Sequence, residues 1–223
     1  MQFSIIIPTF NEAGSLAYAL KDLLSNIQYL SEVEIILSDG GSADNSLQQA
    51  RQFPVISINS EKGRARQMNT GAQQAIGDWL VFLHADTRLP KNWMNLIQHC
   101  DVPWGRFDVR LSGQHWMFRM IEKAINLRSR KTAIATGDQV LFFRRDFFQQ
   151  LGGFPAIPLM EDIAISKIAR KLHAPACISQ PVITSSRRWE KKGILRTVLM
   201  MWLLRFFYWL GVKPETLHRL YYP

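Results

Sequence analysis

A chain of 223 residues, 47% of them hydrophobic, is long enough to bury a core and too apolar to be disordered; it suits one domain, or one domain with an appendage. Its two cysteines, Cys100 and Cys177, stand far apart without metal-type spacing, which argues against a disulfide framework and for a reducing compartment. The formal net charge of +9 admits nucleic acid, anionic lipid or a phosphorylated ligand as partner.

Met1 leads straight into a strand pattern, with no positive leader and no small-residue cleavage site, so the chain reads as a cytoplasmic fold. Phe3–Ile7 is a short apolar run closed by Pro8, the pattern of a buried parallel strand. Across Ser15–Leu30, the residues Leu16, Ala19, Leu20, Leu23, Leu24 and Ile27 share one helical face. Val33–Leu37 is a second buried strand, ended by the turn Asp39-Gly40-Gly41. Ser42 or Asp44 can cap a helix that runs to about Gln52. Val55–Ile58 predicts a third strand, Lys62–Ile76 a helix opening after Gly63, and Trp79–Leu83 a fourth strand. This alternation implies right-handed βαβ units and an α/β fold with a mainly parallel central sheet flanked by helices. Ligands of such sheets bind beyond the carboxyl ends of the strands. Pro8–Glu12, Asp39–Asp44 and His84–Thr87 fall there.

The second half is less regular. Arg106–Leu111 and Gln139–Phe143 read as strands; Trp116–Leu127, Arg145–Leu151 and Asp162–Leu172 read as helices; Gly152-Gly153-Phe154-Pro155 reads as a turn. Residues 1–190 form the main domain and residues 191–223 a basic, aromatic-rich helical tail. Arg187, Arg188, Lys191, Lys192 and Arg196 stand directly before the most hydrophobic stretch, which favours a membrane surface over a nucleic-acid groove. That stretch, Ile194–Val212, is long enough for a membrane span, but Arg196 and Arg205 interrupt it. An arginine near the centre of a span costs roughly 2.5–3.5 kcal/mol. Trp202, Tyr208 and Trp209 prefer an interface. The tail therefore reads as an interfacial helix or a contact with a second copy of the chain; the plainer alternative is a helix packed on its own domain.

Several polar residues can carry chemistry, each beside a plainer role. Asp39 can accept hydrogen bonds from a base or a ribose hydroxyl, or simply form its turn. Lys62-Gly63-Arg64, with Arg66, Gln67 and Asn69, opens a helix whose amino end suits a diphosphate, or is a solvated basic turn. His84 and Asp86, two apart on an extended segment, can meet one cation, or end a strand in a loop. Glu161-Asp162 can hold a base or cap a helix. Asp138 lies in a turn before an apolar strand, and Arg187-Arg188-Trp189 is a membrane-facing patch or a ligand clamp.

The segments SIIIPTFNE, EIILSDGGSADNS, EKGRARQMNTGA, GDWLVFLHADT, GDQVLFFRRDFFQQLGGFP and MEDIAIS, in this order, resemble the family 2 glycosyltransferases, which are inverting enzymes with the GT-A fold. The match runs from about Phe3 to Trp189 and is most similar to a small bacterial subgroup of short, single-domain members. The resemblance implies that Pro8, Thr9, Asn11 and Glu12 line the nucleotide base and ribose, and that Asp39 binds the base or ribose too. It places Gly63, Arg64 and Asn69 along the nucleotide and Asp138 near the donor sugar or acceptor. Asp86 would coordinate a divalent metal, Mn²⁺ or Mg²⁺, bridging the diphosphate, with His84 beside it. Asp162 would be the general base, flanked by Glu161. Three positions depart from the pattern. His84 stands where an acidic residue usually opens the metal motif, which favours Mn²⁺ over Mg²⁺. Gly40 replaces a second acidic residue after Asp39. Arg188-Trp189 is similar to the RW motif of processive synthases, but Ser185 stands near the position of its usual glutamine, so processive synthesis is not implied.

The implied activity is transfer of one sugar from a nucleotide-diphosphate sugar, a UDP-sugar, to a hydroxyl acceptor. The tail suggests a lipid-linked or membrane-borne acceptor and a peripheral place on the inner face of the cell membrane. A nucleotidyltransferase is the alternative enzyme, although PTFNE replaces the Gly-rich, basic loop expected after its first strand. A non-catalytic nucleotide-sugar-binding, membrane-associated module is the alternative outside enzymes. No motif supports nucleic-acid binding.

Overall fold

The computed structural model describes residues 1–221. Its first half is a run of strand–helix units: β1 (Phe3–Thr9), α1 (Leu16–Ser25), β2 (Val33–Asp39), α2 (Ser46–Ala50), β3 (Ile56–Asn59), α3 (Arg64–Gln74) and β4 (Trp79–Phe82). The second half adds β5 (Thr87–Arg88), α4 (Trp93–Gln98), β6 (Trp104–Leu111), α5 (Trp116–Thr132), β7 (Leu141–Arg144), α6 (Arg145–Gln150), α7 (Glu161–Ala169) and β8 (Ala176–Thr184). It closes with α8 (Arg187–Lys192), α9 (Ile194–Trp209) and α10 (Pro214–Tyr221). One sheet holds all eight strands in the order β3-β2-β1-β4-β7-β6-β8-β5.

The first four strands pair in parallel, so their carboxyl ends share one edge. Register then brings distant segments to that edge. β7 runs antiparallel to β4, with Leu141 opposite Phe82, so the turn before β7 lies beside the residues that follow β4. The short β5 pairs antiparallel with the end of β8, Thr87 opposite Thr184, and their hydroxyls bond at 3.0 Å. The chain leaving β8 therefore enters the same region.

The sequence shows no sign of β5, α4, β8 or α8, while α10 falls within the expected helical tail. β8 contains Pro181, which removes a ladder donor and weakens a strand signal. The sheet accommodates it by a register shift: Phe107 pairs with Ile178 and the next residue, Asp108, with Pro181.

Side chains of β1 alternate between two cores. Phe3, Ile5 and Ile7 join Leu16, Leu20, Trp79, Trp93 and Phe142 on one side. Ile6 joins Met68, Phe82, Phe143, Phe148 and Phe154 on the other. Gly71 on α3 lets that helix lie close, because a Cβ there would stand 2.5 Å from Ile6. A third, small core joins Met160 and Ile163 to Leu204 of α9 and Leu217 of α10. Among the described residues no helix is long and apolar enough to cross a membrane.

Candidate functional site

A cleft of about 560 Å³ opens at the carboxyl edge of the sheet, within the range of small-molecule sites. The loop after β1 lines it with Pro8, Phe10 and Glu12; α3 adds Arg64 and Gln67; the loop after β4 adds His84, Ala85 and Asp86. Asp138 comes from the turn before β7, and Thr184 and Ser185 from the end of β8. Arg187, Arg188, Trp189, Lys191 and Lys192 of α8 form a basic wall, closed by Thr197 and Met201 of α9 and Tyr221 of α10.

The rim is tied together by side chains of the loops themselves. Asn11 sits in the left-handed region at φ 55° and accepts from the Ala43 N–H at 2.9 Å. Its own N–H donates to Ser42 Oγ at 2.9 Å, and the Glu12 N–H to Ser46 Oγ at 2.8 Å. Asp39 is buried, its carboxylate accepting from the N–H groups of Gly41 and Ser42, each at 2.9 Å, and from the Ser42 hydroxyl. Thr9 is buried beside it. Gln67 donates to the carbonyls of Thr9 (2.7 Å) and Ser38 (2.9 Å), stapling the ends of β1 and β2. A Cβ on Gly40 would stand 3.1 Å from the Gln67 amide, so any side chain here would press on the group that staples β1 to β2.

Gly63, at φ 134°, starts α3 and gives way to Arg64, whose guanidinium lies 3.7 Å from Glu161. Asn69, further along, is held away from the cleft: its amide donates to the Phe154 carbonyl at 2.8 Å and accepts from the Phe154 N–H at 2.9 Å. It thus fixes the loop before α7.

Beyond β4 the carboxylates gather. Burial, then the charges of Asp138 and Glu12, push the Asp86 carboxyl above its usual range. Burial, reinforced by Arg64 and Arg188, lowers the His84 imidazole to about 3, against an opposing pull from Asp162. His84 is therefore neutral near pH 7, and the 3.7 Å between its Nδ1 and Asp138 is not an ion pair. Neutral imidazole is the metal-ligating form. Among the described residues no three His, Cys, Asp or Glu side chains form a closed metal cage. An open pair of Asp86 and Asp138 or His84, with unrelieved negative charge nearby, fits a Mg²⁺- or Mn²⁺-type ion that completes its shell with substrate phosphate oxygens and water. It does not fit a structural zinc site.

Behind this wall lies the acidic pair. Gly137 is the hinge between the two: a Cβ on it would stand 2.7 Å from the His84 ring, and its N–H donates to Asp162 Oδ2 at 2.8 Å. The Ile163 N–H donates to Asp162 Oδ1 at 2.7 Å. Neither Glu161 nor Asp162 is among the residues lining the cleft; both lie at the amino end of α7, whose dipole favours negative charge. Three of the four non-glycine residues with positive φ among those described, Asn11, Val140 and Met160, border these site segments. Such backbone outliers concentrate where geometry is held for a purpose.

Glu161 is 4% exposed. Burial first, then the Asp162 charge, raise its carboxyl to about 7, although Arg64 pulls it down. The folded value exceeds the unfolded one, so this group stabilises the fold fully below pH 4.5 and the contribution is lost as pH rises through about 7. Glu161→Gln carries no such charge. Its melting temperature should match that of the parent near about pH 5 and exceed it near about pH 8. A gap that does not change between the two conditions would refute the buried-acid account.

Two arginines that the sequence shows only as part of a basic group (Arg128, with Arg130 and Lys131) and as a break in the apolar tail (Arg205) also belong here. Arg205 faces the Asp138 and Asp162 charges; its burial lowers the guanidinium pKa, and those carboxylates oppose the shift. Arg128 of α5 is lowered to about 10 by burial and by Arg205, with Asp162 and Asp138 again opposing. Arg128 Nε and Nη2 are buried without a hydrogen-bond partner among the described residues. In the sequence Arg205 is only an interruption of an apolar run; a charge in such a run was the signal available.

Residues 4–151 match the family model described as Glycosyl transferase family 2. A "PGL/p-HBAD biosynthesis glycosyltransferase" of Mycobacterium bovis is 38% identical over 94 residues, which cover 39% of this chain and 36% of that protein. The matched stretch is thus little more than a third of that relative's length. The structure of S. aureus TarS in complex with UDP-GlcNAc superposes with a TM-score of 0.67 at 18% identity, covering 83% of this chain and 58% of that one. The mannosyltransferase PcManGT of Pyrobaculum calidifontis, in complex with GDP-Man and Mn²⁺, gives 0.63 at 21% identity, covering 82% and 56%.

Proposed function

The chain belongs to glycosyl transferase family 2 and has the GT-A fold, and from that premise we propose that it transfers one sugar, with inversion, from a nucleoside-diphosphate sugar, a UDP-sugar, to an acceptor hydroxyl. The observation that carries this reading is the meeting, at one sheet edge, of Arg64 on a helix amino end, the Asp86 carboxylate among like charges, and the Glu161–Asp162 pair behind them. Relatives of the fold hold UDP-GlcNAc, or GDP-Man with Mn²⁺.

In this reading Pro8, Thr9, Asn11, Glu12 and Asp39 shape the seat of the base and ribose. Asn11 and Asp39 do so through the backbone they hold. Gly63 frees the first N–H groups of α3, and Arg64 places a cation on the diphosphate. Asn69 acts at one remove, through Phe154. Asp86, with His84 or Asp138, would hold the divalent ion, which when bound neutralises charge building on the leaving diphosphate. Asp138 faces the transferred sugar or the acceptor. Asp162, set back from the cleft lining behind Gly137, would accept the acceptor proton once that hydroxyl reaches past Gly137, as its oxygen bonds to the anomeric carbon and the bond to the diphosphate breaks on the opposite face. Burial and the Asp162 charge raise the Glu161 carboxyl, which favours its protonated form and limits a second negative charge beside Asp162.

Calorimetric titration of UDP, GDP and TDP, with and without Mn²⁺, tests the donor. Tight binding of UDP that needs Mn²⁺ is expected. Binding that ignores the metal would move diphosphate neutralisation to the arginines. Absence of binding by all three would overturn the donor reading and favour a non-catalytic module.

A further inference from the structure

Helix α9 has two faces of opposite character. Thr197 and Met201 line the cleft, and Leu204 and Tyr208 pack against α7 and α10. On the outer face Leu195, Leu199, Trp202, Phe206 and Trp209 follow one another at spacings of four and three residues, each between 52% and 73% exposed. That spacing draws a single straight stripe along four turns, and Leu203 and Leu210 widen it. Scattered exposed apolar side chains are ordinary; a continuous stripe of this size marks an interaction surface.

Its flanks are basic. Residues 187–221 hold eight of the 27 Lys and Arg residues and two of the 18 acidic ones. Lys191, Lys192 and Arg196 are exposed at one end of α9, and Lys213 and Arg219 beyond the other. A second copy stacked antiparallel on the stripe would set basic end against basic end, and a parallel one likewise, so charge opposes self-association. An anionic bilayer matches both features: tryptophan and phenylalanine favour its interface, and its surface attracts lysine and arginine.

We propose that the outer face of α9 docks the chain in the plane of an anionic membrane and sets the cleft beside the lipid headgroups. Resting on the transferase reading above, the acceptor is then the hydroxyl of a membrane amphiphile rather than of a freely diffusing molecule. The cleft and the stripe share one helix, so docking fixes the cleft's position against the bilayer.

Flotation of the full chain with vesicles of equimolar phosphatidylglycerol and phosphatidylcholine tests this, beside phosphatidylcholine alone and the variant Trp202→Ser/Phe206→Ser. Both side chains are exposed, so the variant should keep its melting temperature. The parent should float with the anionic vesicles and not with the neutral ones, and the variant should lose about tenfold or more in vesicle affinity. Equal flotation of parent and variant, equal flotation with neutral vesicles, or a dimer that the variant dissociates would each overturn the docking. UDP titration of the same two proteins separates the readings: unchanged nucleotide binding without flotation sinks the membrane surface alone. Face-dependent flotation without nucleotide binding sinks the transferase alone.

Discussion

Asp162→Asn lowers the turnover number for sugar transfer by about a thousandfold, within the usual range for loss of a general base, and leaves UDP affinity within about twofold. The reasoning is geometric. Asparagine keeps one oxygen to accept the Gly137 N–H, so the contact that seats His84 survives, at the cost of the bond from the Ile163 N–H in the first turn of α7. Asp162 is not among the residues that line the cleft, so the walls for base, ribose and diphosphate are untouched. What disappears is the ability to take a proton. Single-turnover assays with the variant, alongside calorimetry, separate the two effects. Unchanged turnover would remove Asp162 from the chemistry, and Glu161, raised to about 7, would become the next residue to replace.

Asp86→Asn should reduce UDP affinity in Mn²⁺ by about ten- to a hundredfold, down to the level the parent shows in a chelator. In the metal-free protein the change removes a negative charge that Asp138 and Glu12 repel. The apo variant should therefore melt at the same temperature as the parent or higher, which rules out misfolding as the cause of lost binding. A variant that still binds UDP more tightly with Mn²⁺ than without would take the ion away from Asp86. Its place would then pass to the remaining carboxylates, Glu12 and Asp138.

The strands of the first half were legible from the chain, although the helix expected over Ser15–Leu30 stops at Ser25. Phe3–Ile7, Val33–Leu37 and Trp79–Leu83 became β1, β2 and β4 within two residues, because continuous apolar runs closed by polar turns have few other uses. The turn chemistry of Asp39-Gly40-Gly41 and the helix start at Gly63 were legible for the same local reason. So was α9, read as Ile194–Val212 and found as Ile194–Trp209. Family membership followed from six ordered segments, each a local pattern.

Pairing between distant segments was beyond the sequence. Pro181 hid β8, since only a register shift against β6 makes a proline tolerable there. Without β8 nothing placed Thr184, Ser185 and the α8 cations against the loop after β4. The role of Asn69 turned on Phe154, 85 residues away, and that of Gln67 on two strand carbonyls. Arg205 changed from a flaw in a span to a half-buried cation facing the charges of Asp138 and Asp162. Sequence alone determined the strands, the turns, the order of the polar loops and the apolar character of α9, because each is a property of neighbouring residues. Only the tertiary structure decided which polar groups face the cleft and which hold the backbone: a hydrogen bond or a buried charge is defined by its partner, and these partners lie far away in the chain.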